Sequence, residues 1–125
     1  EAGLTGSGIT VKLIEIDGSD WQSLLHAEIK QHQHPAIFAL NGQVLWSAVR
    51  FAKARSLNIP EDVGLIGYDD DQFADMITPA IASVSQNPQE IGRVAAEQLL
   101  SSVNGQATPP KNTRIPSEIQ MRDSL

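Results

Sequence analysis

Two short apolar runs punctuate the chain, Ala36-Ile37-Phe38-Ala39-Leu40 and Val63-Gly64-Leu65-Ile66-Gly67, and each stops abruptly on polar side chains. The first ends at Asn41-Gly42, the second at Tyr68-Asp69-Asp70-Asp71. Continuous runs of this length predict strands covered on both faces, as in a parallel sheet. Ile9 to Ile16 instead alternates apolar and polar positions, which predicts a further strand closed by Asp17-Gly18.

Helical periodicity fills the intervals. Ser19-x-x-Gln22 has the form of a capping box and opens a helix from Trp21 to about Gln33, ended by His34-Pro35. A second helix is expected from about Gln43 to Ser56, where Val44, Leu45, Ala48, Val49, Phe51 and Ala52 share one broad face. Trp46 falls roughly opposite that face, beside Arg50 and Lys53, and an indole there suits a subunit contact better than a side chain capped by a neighbouring loop.

Gln72 to Ile77 predicts a helical turn stopped by Thr78-Pro79, and Ile81 to Gln86 a short strand. Asn87-Pro88-Gln89-Glu90 supplies a cap, a proline at N1 and an acid at N3. The helix that follows carries Ile91, Val94, Ala95, Gln98, Leu99 and Ser102 on one stripe and ends at Asn104-Gly105. Residues 106–112 form a linker, and Thr113 to Met121 alternates as an edge strand would. The order is βαβαβ, a crossover, a long helix and a last strand. It predicts an α/β fold, a parallel sheet with helices on both faces. Glu1 to Gly8 has the character of a helix tail, so a piece of a longer polypeptide is expected.

Composition narrows the chemistry. The 125 residues amount to one domain, and their net charge of -6 opposes a grip on a phosphate backbone. No run approaches the ~20 apolar residues of a membrane-spanning helix. Without cysteine there is neither disulfide nor thiolate chemistry. His26, His32 and His34 lack partners at metal-ligand spacing, and Ser83 and Ser85 flank no His-Asp constellation. Asp69, Asp70 and Asp71 point alternately on an extended backbone, so they do not converge on one ion, and Asp70 and Asp71 suit turn and cap positions. No enzyme, metal or cofactor is expected.

Four motifs in order carry a family likeness. They are Pro35-Ala36-Ile37-Phe38-Ala39-Leu40-Asn41, then Ile59-Pro60-Glu61-Asp62-Val63-Gly64-Leu65-Ile66-Gly67-Tyr68-Asp69-Asp70, then Gln86-x5-Gly92-x2-Ala95, and last Ile115-Pro116-x-x-Ile119-x-x-Arg122-x-Ser124. Together they resemble the LacI/GalR family of bacterial transcriptional regulators over nearly the whole chain. The resemblance implies a periplasmic-binding-protein-like effector domain of two lobes, preceded in the intact regulator by a helix-turn-helix headpiece. It makes residues 1–80 the second lobe, 81–105 a crossover segment and helix, and 106–125 a linker and terminal strand.

The same resemblance implies that the effector, a sugar or sugar acid, is held by Asn41, Asp69 and Gln86 with Trp21 as an aromatic platform. Asp accepts hydroxyls while Asn and Gln both donate and accept, which suits a polyol. The family also dimerises through this lobe, which places Trp46, Met76 and Ile77 in a homodimer interface. Operator DNA would be met only through the headpiece, in the cytoplasm, without membrane or cofactor. Gly42 replaces the family's usual Asp, and Ile81-Ala82-Ser83 its Leu-Thr-Thr. The Asn-Gly variant looks like regulators of hexuronate and keto-deoxy sugar-acid catabolism. The competing reading is a periplasmic sugar-binding protein of a transporter, which shares the fold.

Overall fold

The computed structural model describes residues 7–18, 20–69, 73–105 and 112–125. Its elements are α1 (Trp21–Gln31), β1 (Ala36–Ala39), α2 (Gly42–Ala54), β2 (Gly64–Tyr68), β3 (Ala82–Ser85), α3 (Pro88–Val103) and β4 (Glu118–Gln120). The strands form one sheet in the order β1-β2-β3-β4. Ala36 to Ala39 pair in parallel with Gly64 to Gly67, and Ile66 to Tyr68 with Ala82 to Val84. β4 closes the far edge antiparallel, with Ser83 opposite Gln120 and Ser85 opposite Glu118.

The two unbroken apolar runs become β1 and β2, and their alternate residues face a common core. Ala39, Leu45, Ala48, Leu65, Ala74 and Ile81 make its main cluster. Ile29, Phe51 and Val63 make a second, and Ile37 and Ile59 pack against both. α1 and α2 therefore lie on the same side of the sheet. Gly67 is required there by closeness, because a Cβ at that position would lie 2.9 Å from Leu45 Cδ2.

The end of the chain stitches the middle of the sheet. Ser124 is fully buried; its Oγ accepts from Ala82 N at 2.8 Å and donates to the Leu65 carbonyl at 2.5 Å. Its own carbonyl accepts from Leu65 N at 2.8 Å. Arg122 Nη1 donates to the Ile81 carbonyl at 2.7 Å and to Ser83 Oγ at 2.9 Å.

The α/β class, the mostly parallel sheet and the edge position of the last strand agree with expectation, although that strand is antiparallel and confined to Glu118–Gln120; the first strand does not agree. Residues 9–16 take up no strand, so the leading βαβαβ order is reduced to αβαβ over the described residues. Ile9, Val11 and Leu13 are 61, 62 and 74% exposed, an alternating pattern with no neighbour to pair with. Phe38, on the side away from α1 and α2, is 51% exposed. α3 buries none of its residues.

Smaller differences are local. The helix expected to reach Gln33 stops at Gln31, and the residue capping α1 is Asp20, with no side-chain cap bond. Ser19, Asp70, Asp71, Gln72 and most of the 106–112 linker lie outside the described residues. Phe73 to Pro79 forms turns and bends in place of a helix.

Candidate functional site

In a parallel sheet the strand register decides which side chains meet at the carboxyl edge. Ala39 pairs with Gly67, which brings Asn41 and Asp69 to matching places two residues beyond. The Asp69 N–H donates to the Val84 carbonyl at 3.0 Å, which sets Ser85 and Gln86 beside it. Such an edge is where ligands of open α/β folds sit.

Asp69 holds a left-handed backbone conformation, φ 72°, which turns the chain sharply as β2 ends. The Gln86 side-chain amide donates to Asp69 Oδ1, so the ends of β2 and β3 are tied through two of the expected ligand groups. Asn87, at φ 57°, then turns the chain into α3 with Pro88 at its first position. Asn41 has a structural task of its own. It caps α2, its Oδ1 accepting from Val44 N at 2.9 Å, and this leaves the amide NH₂ as its main offering to a ligand.

Trp21 stands in the first turn of α1 and is half-buried. Its ring lies 5.7 Å from that of Phe51, tilted by 44°. With Asn41 it lines a cavity of about 380 Å³ whose other walls are β1, Lys12 to Asp17, and Val44 and Ala48 of α2. Asn41 thus shares this cavity with Trp21 and the carboxyl edge with Asp69 and Gln86. Residues 12–17 were not expected among the walls, and nothing in their alternation signals it. Lys12 also pairs with Glu28 of α1, and that hydrogen bond is the main reason the Glu28 carboxyl titrates below its ordinary range.

The three expected interface residues differ in setting. Met76 is 75% exposed and Trp46 is half-buried, whereas Ile77 packs against the main core cluster. Among the described residues, no group of three or more His, Asp or Glu is placed to hold a metal ion, and no helix is long and apolar enough to cross a membrane.

A mostly parallel sheet with polar groups gathered at its carboxyl edge places the chain among the open α/β domains. The chain belongs to the periplasmic binding protein-like domain family, whose pattern matches residues 4–125. It is 32% identical over 121 residues to the HTH-type transcriptional regulator KdgR of Bacillus subtilis (strain 168), covering 92% of this chain and 35% of that protein. It is 30% identical over 90 residues to the probable HTH-type transcriptional repressor ExuR of the same organism, covering 72% and 27%. Among solved structures it resembles the periplasmic binding ribose operon repressor protein from Lactobacillus acidophilus, with a TM-score of 0.79, 31% identity, and coverage of 98% of this chain and 47% of that one. The fold is also shared with the periplasmic binding protein/LacI transcriptional regulator from Alkaliphilus metalliredigens QYMF complexed with D-xylulofuranose, at a TM-score of 0.81, 17% identity, and coverage of 98% and 48%. The relatives it matches are thus LacI-type regulators, and the chain spans about a third of the length of the curated ones named here.

Proposed function

We propose that this chain is the second-lobe, effector-sensing and dimerising part of a LacI-type transcriptional repressor. Residues 1–80 form that lobe, 81–105 the crossover with its helix, and 106–125 the returning linker and strand. The effector is a sugar or sugar acid. Asp69 accepts its hydroxyls, Gln86 and Asn41 add donors, and Trp21 offers an apolar face to the ring.

The observation that carries this reading is the edge itself, where register brings Asn41 and Asp69 level and Gln86 bonds Asp69. An ionised carboxylate already accepting one N–H is well suited to exchange it for a sugar O–H. Gly42 removes a carboxylate near the rim, which admits an anionic ligand. The regulator relatives favour a cytoplasmic repressor over a transporter's binding protein. Dimerisation uses Trp46 and Met76, with Ile77 beside them, and operator DNA is bound by a separate headpiece. Closure around effector acts only through the difference in affinity between the two arrangements.

The test is a thermal-shift screen of sugars and sugar acids on the full-length protein, since binding to the native state alone raises Tm. Asp69→Ala is expected to abolish the shift given by the hit compound, with an unchanged circular dichroism spectrum. A full shift in that variant removes Asp69 from the site.

A further inference from the structure

α1 opens without the usual fastening. Asp20 stands at its cap position with no side-chain cap bond, and the first turn carries no acidic residue. Helices are commonly secured there by both, because the first N–H groups of a helix have no partner within it. Here Ser23 N and Leu24 N reach only the Asp20 carbonyl, at 3.1 and 3.2 Å. Trp21 is the first residue of this turn, and helix ends without such anchors fray. The pose of its indole must therefore be fixed by what packs on the ring.

The ring that packs on it is Phe51. Trp21 lines the cavity of about 380 Å³ and Phe51 does not, although the two rings lie 5.7 Å apart. Phe51 is 3% exposed, so it stands behind the indole and touches no ligand itself. Its own ring is held by two further groups. His26 meets it edge-on at 6.4 Å and 69°, and the Arg55 guanidinium carbon lies 5.0 Å from its centre. Arg55 is itself anchored, its backbone N–H donating to the Phe51 and Ala52 carbonyls at 3.2 Å each. Ring pairs and a cation over a ring have preferred geometries, so these contacts set an angle as well as filling volume. Ile29 and Val63, the aliphatic members of the same core cluster, fill volume alone.

We infer that Phe51, braced by Arg55 and His26, is a positioning residue that holds the Trp21 indole in its ligand-facing pose and thereby sets the strength of the apolar part of the effector grip. The inference rests on the proposed role of Trp21 and deepens it. Asn41, Asp69 and Gln86 stand on other elements, so the polar contacts survive when the pose is lost. An indole ordered in advance spares the ligand the cost of fixing it on arrival. Freeing one such side chain weakens binding by about 2- to 10-fold. The last turn of α2, remote from the rim, is in this way wired to the ligand through two rings.

Fluorescence of the full-length protein, with every tryptophan except Trp21 replaced by phenylalanine, tests this without any ligand. Phe51→Leu is expected to red-shift the emission and to raise its quenching by acrylamide. Val63→Ala, in the same cluster but without a ring, should lower Tm and change neither reading. Arg55→Met removes the cation from the Phe51 ring at a partly exposed position. It should move the emission in the same direction, and it decides the matter should Phe51→Leu fail to fold. Unchanged emission in both ring variants, or an equal change in Val63→Ala, overturns the inference and returns Phe51 to plain core filling. Binding gives a second reading with D-glucuronate, D-galacturonate and D-ribose as probes. Whichever raises Tm most should bind Phe51→Leu about 2- to 10-fold more weakly and Val63→Ala as tightly as the parent. Equal weakening in the two variants also overturns the inference. If no probe binds, or Trp21→Leu binds as the parent does, the proposed role of Trp21 falls, and the emission readings still decide whether Phe51 sets its pose.

Discussion

Replacing Ser124 by alanine deletes one oxygen from the centre of the sheet. That hydroxyl is fully buried and serves two main-chain groups, the Ala82 N–H at 2.8 Å and the Leu65 carbonyl at 2.5 Å. Each lost bond is worth about 0.5–1.5 kcal/mol net, and a buried N–H left without a partner costs about 1–3 kcal/mol. Ser124→Ala should therefore destabilise the protein by about 2–3 kcal/mol, a large share of the roughly 5–15 kcal/mol typical of a domain. The main-chain bond from Leu65 N to the Ser124 carbonyl survives the substitution, so the loss reports on the hydroxyl. In urea, with a slope of about 1–3 kcal/mol/M, the unfolding midpoint should fall by about 1 M or more at constant slope. Ser102→Ala is the control. Its hydroxyl bonds the Gln98 carbonyl on an exposed helix surface, and its loss should stay within about 0.5 kcal/mol. A Ser124→Ala variant as stable as that control would refute the reasoning.

Gly67→Ala places a methyl 2.9 Å from Leu45 Cδ2, and because Leu45 is itself fully buried it cannot swing clear. The expected cost is about 1–3 kcal/mol, read as a Tm several degrees lower; an unchanged Tm means α2 can slide. His26 has a buried Nδ1 with no hydrogen-bond partner, and burial first, then Lys30 and Arg55, push its titration below the ordinary value. Its neutral form is the native one, so stability is held above about pH 6.5 and declines as acidification passes from there through the folded-state value. His26→Phe should flatten that decline in denaturation curves measured between pH 7 and 5, and an identical decline would discharge His26. Trp46→Glu should lower the mass seen in sedimentation of the full-length protein, and an unaltered mass removes Trp46 from the contact.

Local pattern was enough to find the elements written as unbroken apolar runs or opened by a proline. β1, β2 and the Pro88 start of α3 are legible because apolar runs and prolines act within a few residues, although Asn87 stands at the cap position without a side-chain cap bond. Residues 9–16 were read as a strand for an equally local reason, but a strand exists only with a neighbour, and pairing is not written in one segment's alternation. The stripe on α3 likewise predicts an apolar face without saying what meets it; Leu99 is 65% exposed. At the carboxyl edge, the residue types of Asn41, Asp69 and Gln86 could be listed from sequence through the family likeness. Their mutual geometry could not, because the capping bond of Asn41 and the left-handed turn at Asp69 arise from register. The reach of Arg122 and Ser124 into the middle of the sheet spans some forty to sixty residues, and the motif Arg-x-Ser alone does not name its targets.

The bond between Gln86 and Asp69 means that the rim is never idle. A visitor that claims the carboxylate evicts the amide, and the amide is rooted one residue ahead of the left-handed bend at Asn87 where α3 sets off. In the proposed role, capture and release at the rim would be felt first at the root of the long helix.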